Sequence, residues 1–170
     1  MKIHRSILSL IIVGLLLAFA TSSSAFDKLS FSGTWTLSKE KSSNLPSVFV
    51  TVDEYNLIIN QTSENISFQT EFRGRGQTIT GPQESYTLDG TTKETKDSRG
   101  VTLKRSMKYD ESGQKLLVET EKEFTGAVQL PKQNDSEVWE LSGDGSSLTI
   151  TITPKSGEEG KQVRVFTKKN

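Results

Sequence analysis

Residues 101–124 read VTLKRSMKYDESGQKLLVETEKEF, and apolar and polar side chains alternate on both sides of Ser112-Gly113. A period of two is typical of β-strands that bury one face. A two-residue turn at Ser112-Gly113 predicts five inward cross-strand pairs: Tyr109 with Leu116, Met107 with Val118, Arg105 with Thr120, Leu103 with Lys122 and Val101 with Phe124. The hairpin is therefore predicted to have one solvent-exposed polar face and one inward face that is apolar except at its centre.

The same period recurs from residue 31 onward, and no stretch shows a convincing helical period. A second hairpin pairs Leu141 with Leu148 and Trp139 with Ile150. Ten strands are predicted: Phe31–Ser38, Tyr55–Thr62, Ile66–Arg73, Gln83–Leu88, Thr92–Asp97, Val101–Tyr109, Lys115–Phe124, Ser136–Leu141, Leu148–Thr153 and Gln162–Lys168. Strands without covering helices must close on themselves or stack in two layers. The chain is thus predicted to be all-β, an antiparallel up-and-down meander that closes into a barrel of about 8–10 strands.

Two segments do not fit the meander. Glu40–Val52 contains Pro46 and is expected to begin as a loop and to end in the second strand. Gly126–Asp135 is a long connection between two strands. Each is read as an ordinary surface loop, with a lid over one end of the barrel as the alternative.

Residues 1–25 have the three parts of a secretory signal peptide: a basic start (2–5), an apolar run (7–20) and small residues before a cut after Ala25. The apolar run is shorter than the roughly 18 residues of a membrane-spanning helix, so an uncleaved anchor is the less favoured alternative. Residues 26–170 are predicted to form a single exported domain, periplasmic or extracellular, with no membrane span.

The composition excludes several classes of site. The chain has no cysteine and one histidine, His4, which the predicted cleavage removes together with Lys2 and Arg5. Disulfides, thiolate nucleophiles, histidine bases and zinc sites built on sulfur or imidazole are therefore excluded. The remaining 19 basic and 21 acidic residues, a net charge of −2, are interspersed, which argues against nucleic-acid binding. No catalytic residue, metal site or cofactor is predicted, and an enzyme that uses two carboxylates is the third-ranked reading.

Both ends of the barrel sequence resemble those of the calycins, the lipocalins and fatty-acid-binding proteins. Gly33-Thr34-Trp35 is similar to the Gly-x-Trp of the first calycin strand, and Arg164-Val165-Phe166 to the Arg-x-Tyr of the last strand in fatty-acid-binding proteins. The stretch 31–43 also resembles the opening of small exported bacterial lipocalin-like domains. Three departures stand out: there is no Thr-Asp-Tyr motif, there is no cysteine pair, and Pro46 with the β-branched residues after it opposes a helical lid.

The resemblance implies a lipocalin-like barrel and assigns roles to three signature residues, Gly33, Trp35 and Arg164. Trp35 would plug one end of the barrel, and Gly33 would allow a close approach there. Arg164 would either cover the tryptophan by a cation–π contact, as in lipocalins, or bind a ligand carboxylate, as in fatty-acid-binding proteins. Because Phe166 replaces the tyrosine of that motif, the structural role is favoured.

The hairpin register independently places two cations, Arg105 and Lys122, on the inward face. Burying them without an anion is costly. A bound carboxylate could supply that anion; the favoured alternative is that Arg105 pairs with Glu137 while Lys122 reaches water at a rim. The candidate ligand-binding residues are Arg105, Lys122, Thr120, Arg164 and Phe166.

The predicted function is that of a monomeric binding protein for a small hydrophobic or lipid-like molecule, with an acidic head group as one option. The main alternative is a non-enzymatic envelope or interaction module whose barrel is filled by side chains. The inward aromatic and sulfur-containing residues could fill the barrel or line a cavity: Phe68, Phe72, Met107, Phe124 and Trp139.

Overall fold

The structure is a computed structural model that describes residues 28–97, 100–124, 130–155 and 160–169. The predicted signal peptide lies outside these residues. Among the residues described, no helix is both long enough and apolar enough to cross a membrane.

The described residues form eleven strands and one short helix. In chain order these are β1 (Gly33–Ser43), α1 (Ser47–Thr51), β2 (Glu54–Gln61), β3 (Asn65–Gly74), β4 (Gln77–Thr80), β5 (Glu84–Thr87), β6 (Lys93–Lys96), β7 (Val101–Tyr109), β8 (Lys115–Phe124), β9 (Gln133–Leu141), β10 (Ser147–Pro154) and β11 (Gln162–Lys168). The all-β prediction is confirmed.

The strands make one antiparallel sheet in the order β4-β3-β2-β1-β11-β10-β9-β8-β7-β6, and β5 also pairs with β3. The sheet curls strongly but does not close, because no strand ladder joins β5 to β6 or β7. This seam, the gap between β5 and β6–β7, is crossed by single hydrogen bonds. The Lys93 ammonium donates to the Ser85 carbonyl oxygen (2.9 Å), and the Gly90 amide donates to that of Met107 (2.9 Å).

Both predicted hairpin registers are confirmed. Met107 pairs with Val118 and Arg105 with Thr120 in the first hairpin, and Trp139 pairs with Ile150 in the second. The first turn is longer than predicted. The last cross-strand backbone hydrogen bond of the hairpin joins the Asp110 amide to the Lys115 carbonyl oxygen, so the loop spans four residues, 111–114, instead of two. The register survives because adding one residue to each side of the turn leaves the pairing unchanged.

The predictions for residues 40–52 were wrong. Residues 40–43 were expected to form a loop but complete strand β1. Residues 47–51 form a helical turn rather than the start of a strand, with Pro46 at its N-cap and the Phe49 amide bonded to the Pro46 carbonyl oxygen (3.0 Å). Proline is tolerated at a helix start, where its missing N–H has no intrahelical partner. Strand β4 was not predicted, because its four residues are all exposed and carry no alternation of burial.

A candidate ligand cavity

The base of the interior, the end around Phe31 and Trp35, is filled by apolar side chains. Phe31, Trp35 and Met107 are fully buried there, and the Trp35 indole N–H donates to the Phe31 carbonyl oxygen (2.8 Å). The segment before β1 closes this end: the Leu29 amide bonds to the Gly113 carbonyl oxygen (3.2 Å), and the Tyr109 hydroxyl donates to the Leu29 carbonyl oxygen. Apolar side chains therefore pack the base.

Trp35 is covered by Lys168 and not by Arg164. The Lys168 ammonium lies 5.3 Å from the centroid of the indole ring. Gly33, at φ 142°, has a backbone conformation that L side chains rarely adopt, and a Cβ there would lie 3.1 Å from Lys168 Cε. The close approach expected at Gly33 is therefore made by a lysine, and the structural role that was favoured for Arg164 is taken by Lys168.

Arg105 faces the interior, with its side chain 15% exposed. Its Nη1 donates to Glu84 Oε2 (3.0 Å), and its Nε donates to the hydroxyl of the buried Thr120 (3.0 Å). The ion pair expected with Glu137 is instead made with Glu84, across the seam. Burial alone would lower the pKa of the guanidinium, but the charges of Glu137 and Glu84 raise it above its ordinary value.

Glu84 and Tyr86 complete this cluster, and sequence reasoning missed both. The Tyr86 hydroxyl donates to Glu84 Oε2, and the Arg105 guanidinium lies 5.7 Å from the Tyr86 ring centroid. Burial, with the hydrogen bond to Glu84, raises the pKa of Tyr86 to about 12. Glu84 and Tyr86 are two residues apart in β5, so the sequence does predict that they share one face of the strand. The sequence does not predict that β5 lies beside β7.

Arg164 also faces the interior, but it lies next to α1 and not in the cluster of Arg105, Glu84 and Tyr86. Its Nε donates to Gln162 Oε1 (2.8 Å), and its guanidinium lies 4.5 Å from the ring centroid of Phe49 in α1. Burial lowers the pKa of Arg164 below its ordinary value. Among the described residues, no carboxylate forms an ion pair with it.

Phe166 is 1% exposed and packs 6.0 Å from Tyr55, ring centroid to centroid. Burial raises the pKa of Tyr55 to about 12. Phe166 therefore belongs to the apolar packing beneath the polar residues and offers no polar group to a ligand.

Polar side chains surround a cavity of about 560 Å³, which we call the upper cavity. Its lining residues are Asn44, Leu45, Pro46, Arg105, Lys122, Gln133, Asp135, Glu137, Ile152, Pro154, Gly160, Gln162 and Arg164. The structure thus brings Arg105, Lys122 and Arg164 to one cavity. Within the described ranges, Lys122 makes no ion pair or side-chain hydrogen bond.

A second cavity of about 670 Å³, the side cavity, shares Lys122 and Gln133 with the upper cavity. Its wall includes Val101, Leu103 and Phe124, the apolar residues at the far end of the β7–β8 hairpin. The side cavity thus combines these apolar residues with the charged residues Lys122, Glu84 and Asp97, and it adjoins the charged upper cavity. No group of three acidic or histidine side chains in the described segments could hold a metal ion.

Comparison with known proteins finds similarity in structure but not in sequence. No family model and no curated protein matches the chain. A fatty-acid-binding protein of Schistosoma mansoni, solved in complex with arachidonic acid, aligns with a TM-score of 0.55 at 18% identity, over 84% of this chain and 98% of that chain. The REP1-NXSQ fatty acid transporter aligns with a TM-score of 0.54 at 14% identity, over 82% of this chain and 96% of that chain. Identities this low show the fold alone: the chain has the same fold as these fatty-acid-binding proteins.

Proposed function

We propose that the protein is an exported binding protein for a small amphiphile with an anionic head group, and not an enzyme. The two fatty-acid-binding neighbours support a binding role on the same fold. The signal-peptide pattern of residues 1–25 supports export.

The observation that carries the proposal is the pair Lys122 and Arg164 in the upper cavity. Neither cation has a carboxylate partner within the described residues, although both line the same cavity. A cation held out of bulk water without an anion costs free energy, and an anionic ligand offsets that cost. Arg105 is less available, because Glu84 and Thr120 already occupy its donors.

The rest of the ligand has a place in the side cavity. Because Lys122 lines both cavities, a head group beside Lys122 and Arg164 would leave an apolar chain free to extend along Leu103 and Val101. Burial of apolar ligand surface there contributes roughly 25 cal/mol per Å². The packed base agrees with the alternative hypothesis, a barrel whose interior is filled by side chains. The upper half, which contains the cavities, supports the hypothesis of a ligand-binding protein.

The test is a titration of the purified protein with a fluorescent fatty acid. Arg164→Met should weaken binding roughly 10-fold to 100-fold, the effect of losing one hydrogen bond to a charged group, and Lys122→Met should weaken it in the same direction. Arg73→Met and Lys104→Met are matched controls, because both cations lie on outer faces with side chains 57% and 38% exposed.

Arg164→Met should leave the melting temperature unchanged or raise it, because it removes an interior charge that has no carboxylate partner. Absence of binding by the wild type, or equal binding by all four variants, would refute the proposal.

A further inference from the structure

Two carboxylates, Asp135 and Glu137, share the upper cavity with the cations. Register places Glu137 on the inward face of β9, between the buried residues Val118 and Ile152. The Trp139 indole N–H donates to Glu137 Oε2 (2.9 Å), which fixes the carboxylate at the cavity wall. A carboxylate can accept about four hydrogen bonds, so most of its acceptor capacity remains available.

Glu137 is close to two arginines without being paired to either. The negative charge of Glu137 favours the charged form of both Arg105 and Arg164, although burial still leaves the pKa of Arg164 below its ordinary value. Yet Arg105 makes its ion pair with Glu84, and no cation of the described residues forms an ion pair with Glu137. Opposite charges therefore face one cavity and are held apart from each other.

This arrangement suits a simple carboxylate poorly. A bare fatty-acid head group beside Lys122 and Arg164 would also meet the negative charge of Glu137. Opposite charges that face one cavity without pairing can each pair with a group on the same ligand. A head group that carries both signs would bridge them. The Gln133 amide in the same lining offers a further hydrogen bond to such a group.

We propose that the ligand of the upper cavity has a zwitterionic head group, with its anion held by Lys122 and Arg164 and its ammonium held by Glu137. This rests on the proposed function and specifies the class of ligand. Glu137 is then the residue that sets the preference for a zwitterion over a plain anion.

The experiment compares two lysophospholipids with the same acyl chain by isothermal titration calorimetry below their critical micelle concentrations. Lysophosphatidylethanolamine is zwitterionic, whereas lysophosphatidylglycerol is anionic and has no ammonium. Wild-type protein should bind the zwitterion roughly 10-fold more tightly, the effect of one hydrogen bond to a charged group.

Glu137→Gln should remove that preference, by weakening binding of the zwitterion and strengthening binding of the anion. The glutamine retains an oxygen for the Trp139 indole N–H, so the melting temperature should change little. Glu140→Gln is the matched control, because Glu140 lies on the same strand, faces outward with its side chain 40% exposed, and pairs with Lys115 (2.8 Å).

The outcomes separate the two proposals. Equal wild-type affinities, or a Glu137→Gln variant that loses both lipids equally, would overturn the zwitterion while leaving an amphiphile-binding protein. Binding of neither lysophospholipid nor a fatty acid would overturn both. A preference that Glu137→Gln loses or reverses, by weaker zwitterion binding and stronger anion binding, with an unchanged Glu140→Gln, would support the inference.

Discussion

The two halves of the interior, the base and the upper half, differ in composition: the base is apolar and packed, and the upper half is charged and contains a cavity. In the base, Trp35, Leu116 and Leu148 are completely buried, and the polar atoms there bond to backbone or to neighbouring side chains. In the upper half, Arg164 and Glu137 face a cavity without direct partners of opposite charge. Both halves are built from the same strands: β8 contributes Leu116 to one and Lys122 to the other.

The difference indicates a division of labour. Large buried side chains contribute about 1.5–3 kcal/mol each, so the base supplies stability. The upper half keeps charges that lower stability, which is typical of sites shaped for binding. If this division holds, substitutions in the base should affect unfolding, and substitutions around the upper cavity should affect ligand affinity.

The largest effect is expected from Trp35→Ala. The side chain is fully buried, so its truncation should cost about 3–5 kcal/mol in the free energy of unfolding, as large aromatic truncations in cores do. Urea denaturation measures it, with Ile79→Ala as control, because Ile79 is 64% exposed and should change stability little. A loss below about 1 kcal/mol would mean that the base does not carry the stability.

Arg105→Met tests the boundary between the two halves, because this cation has a partner. We expect a loss of about 1–3 kcal/mol, less than for a fully buried pair, since the stranded Glu84 side chain is 34% exposed and keeps its bond from Tyr86. Adding Glu84→Gln to the same variant should recover most of the loss.

A variant Arg105→Met that is as stable as the wild type would contradict this expectation. It would mean that the Glu84 pair contributes nothing to the fold, and it would place Arg105 with Arg164 and Lys122 as a ligand-binding cation. Urea denaturation of the single and double variants, followed by a fatty-acid titration, decides between the two roles.

The alternation of side chains was enough to predict most of the fold. A period of two fixes which residues share a face, so the pattern by itself assigns Arg105 and Lys122 to the interior. The bounds predicted for Val101–Tyr109, Lys115–Phe124 and Gln162–Lys168 agree with the strands observed. Local turn chemistry was less decisive, yet an error in loop length did not disturb the register.

Partners across long sequence separations could not be predicted. Glu84 meets Arg105 because β5 pairs with β3 on one side and faces β7 across the seam on the other, a position that no local pattern encodes. Lys168 rather than Arg164 covers Trp35 because β11 pairs with β1 in a register that places Lys168 directly opposite Trp35. Lys168 and Arg164 are both cations on β11, so residue type alone could not show which of the two covers Trp35.

The smallest effect is expected from Lys168→Met at the base. Its ammonium lies 5.3 Å from the Trp35 ring centroid on an exposed residue, so loss of the cation–π contact should cost about 0.5–1 kcal/mol. The methionine keeps an apolar stem against the indole, so packing is largely retained. Fatty-acid affinity should not change, because Lys168 lies at the closed end, away from the upper cavity. A variant with normal stability but weakened binding would show that the base takes part in ligand binding, and the division between the two halves would have to be abandoned.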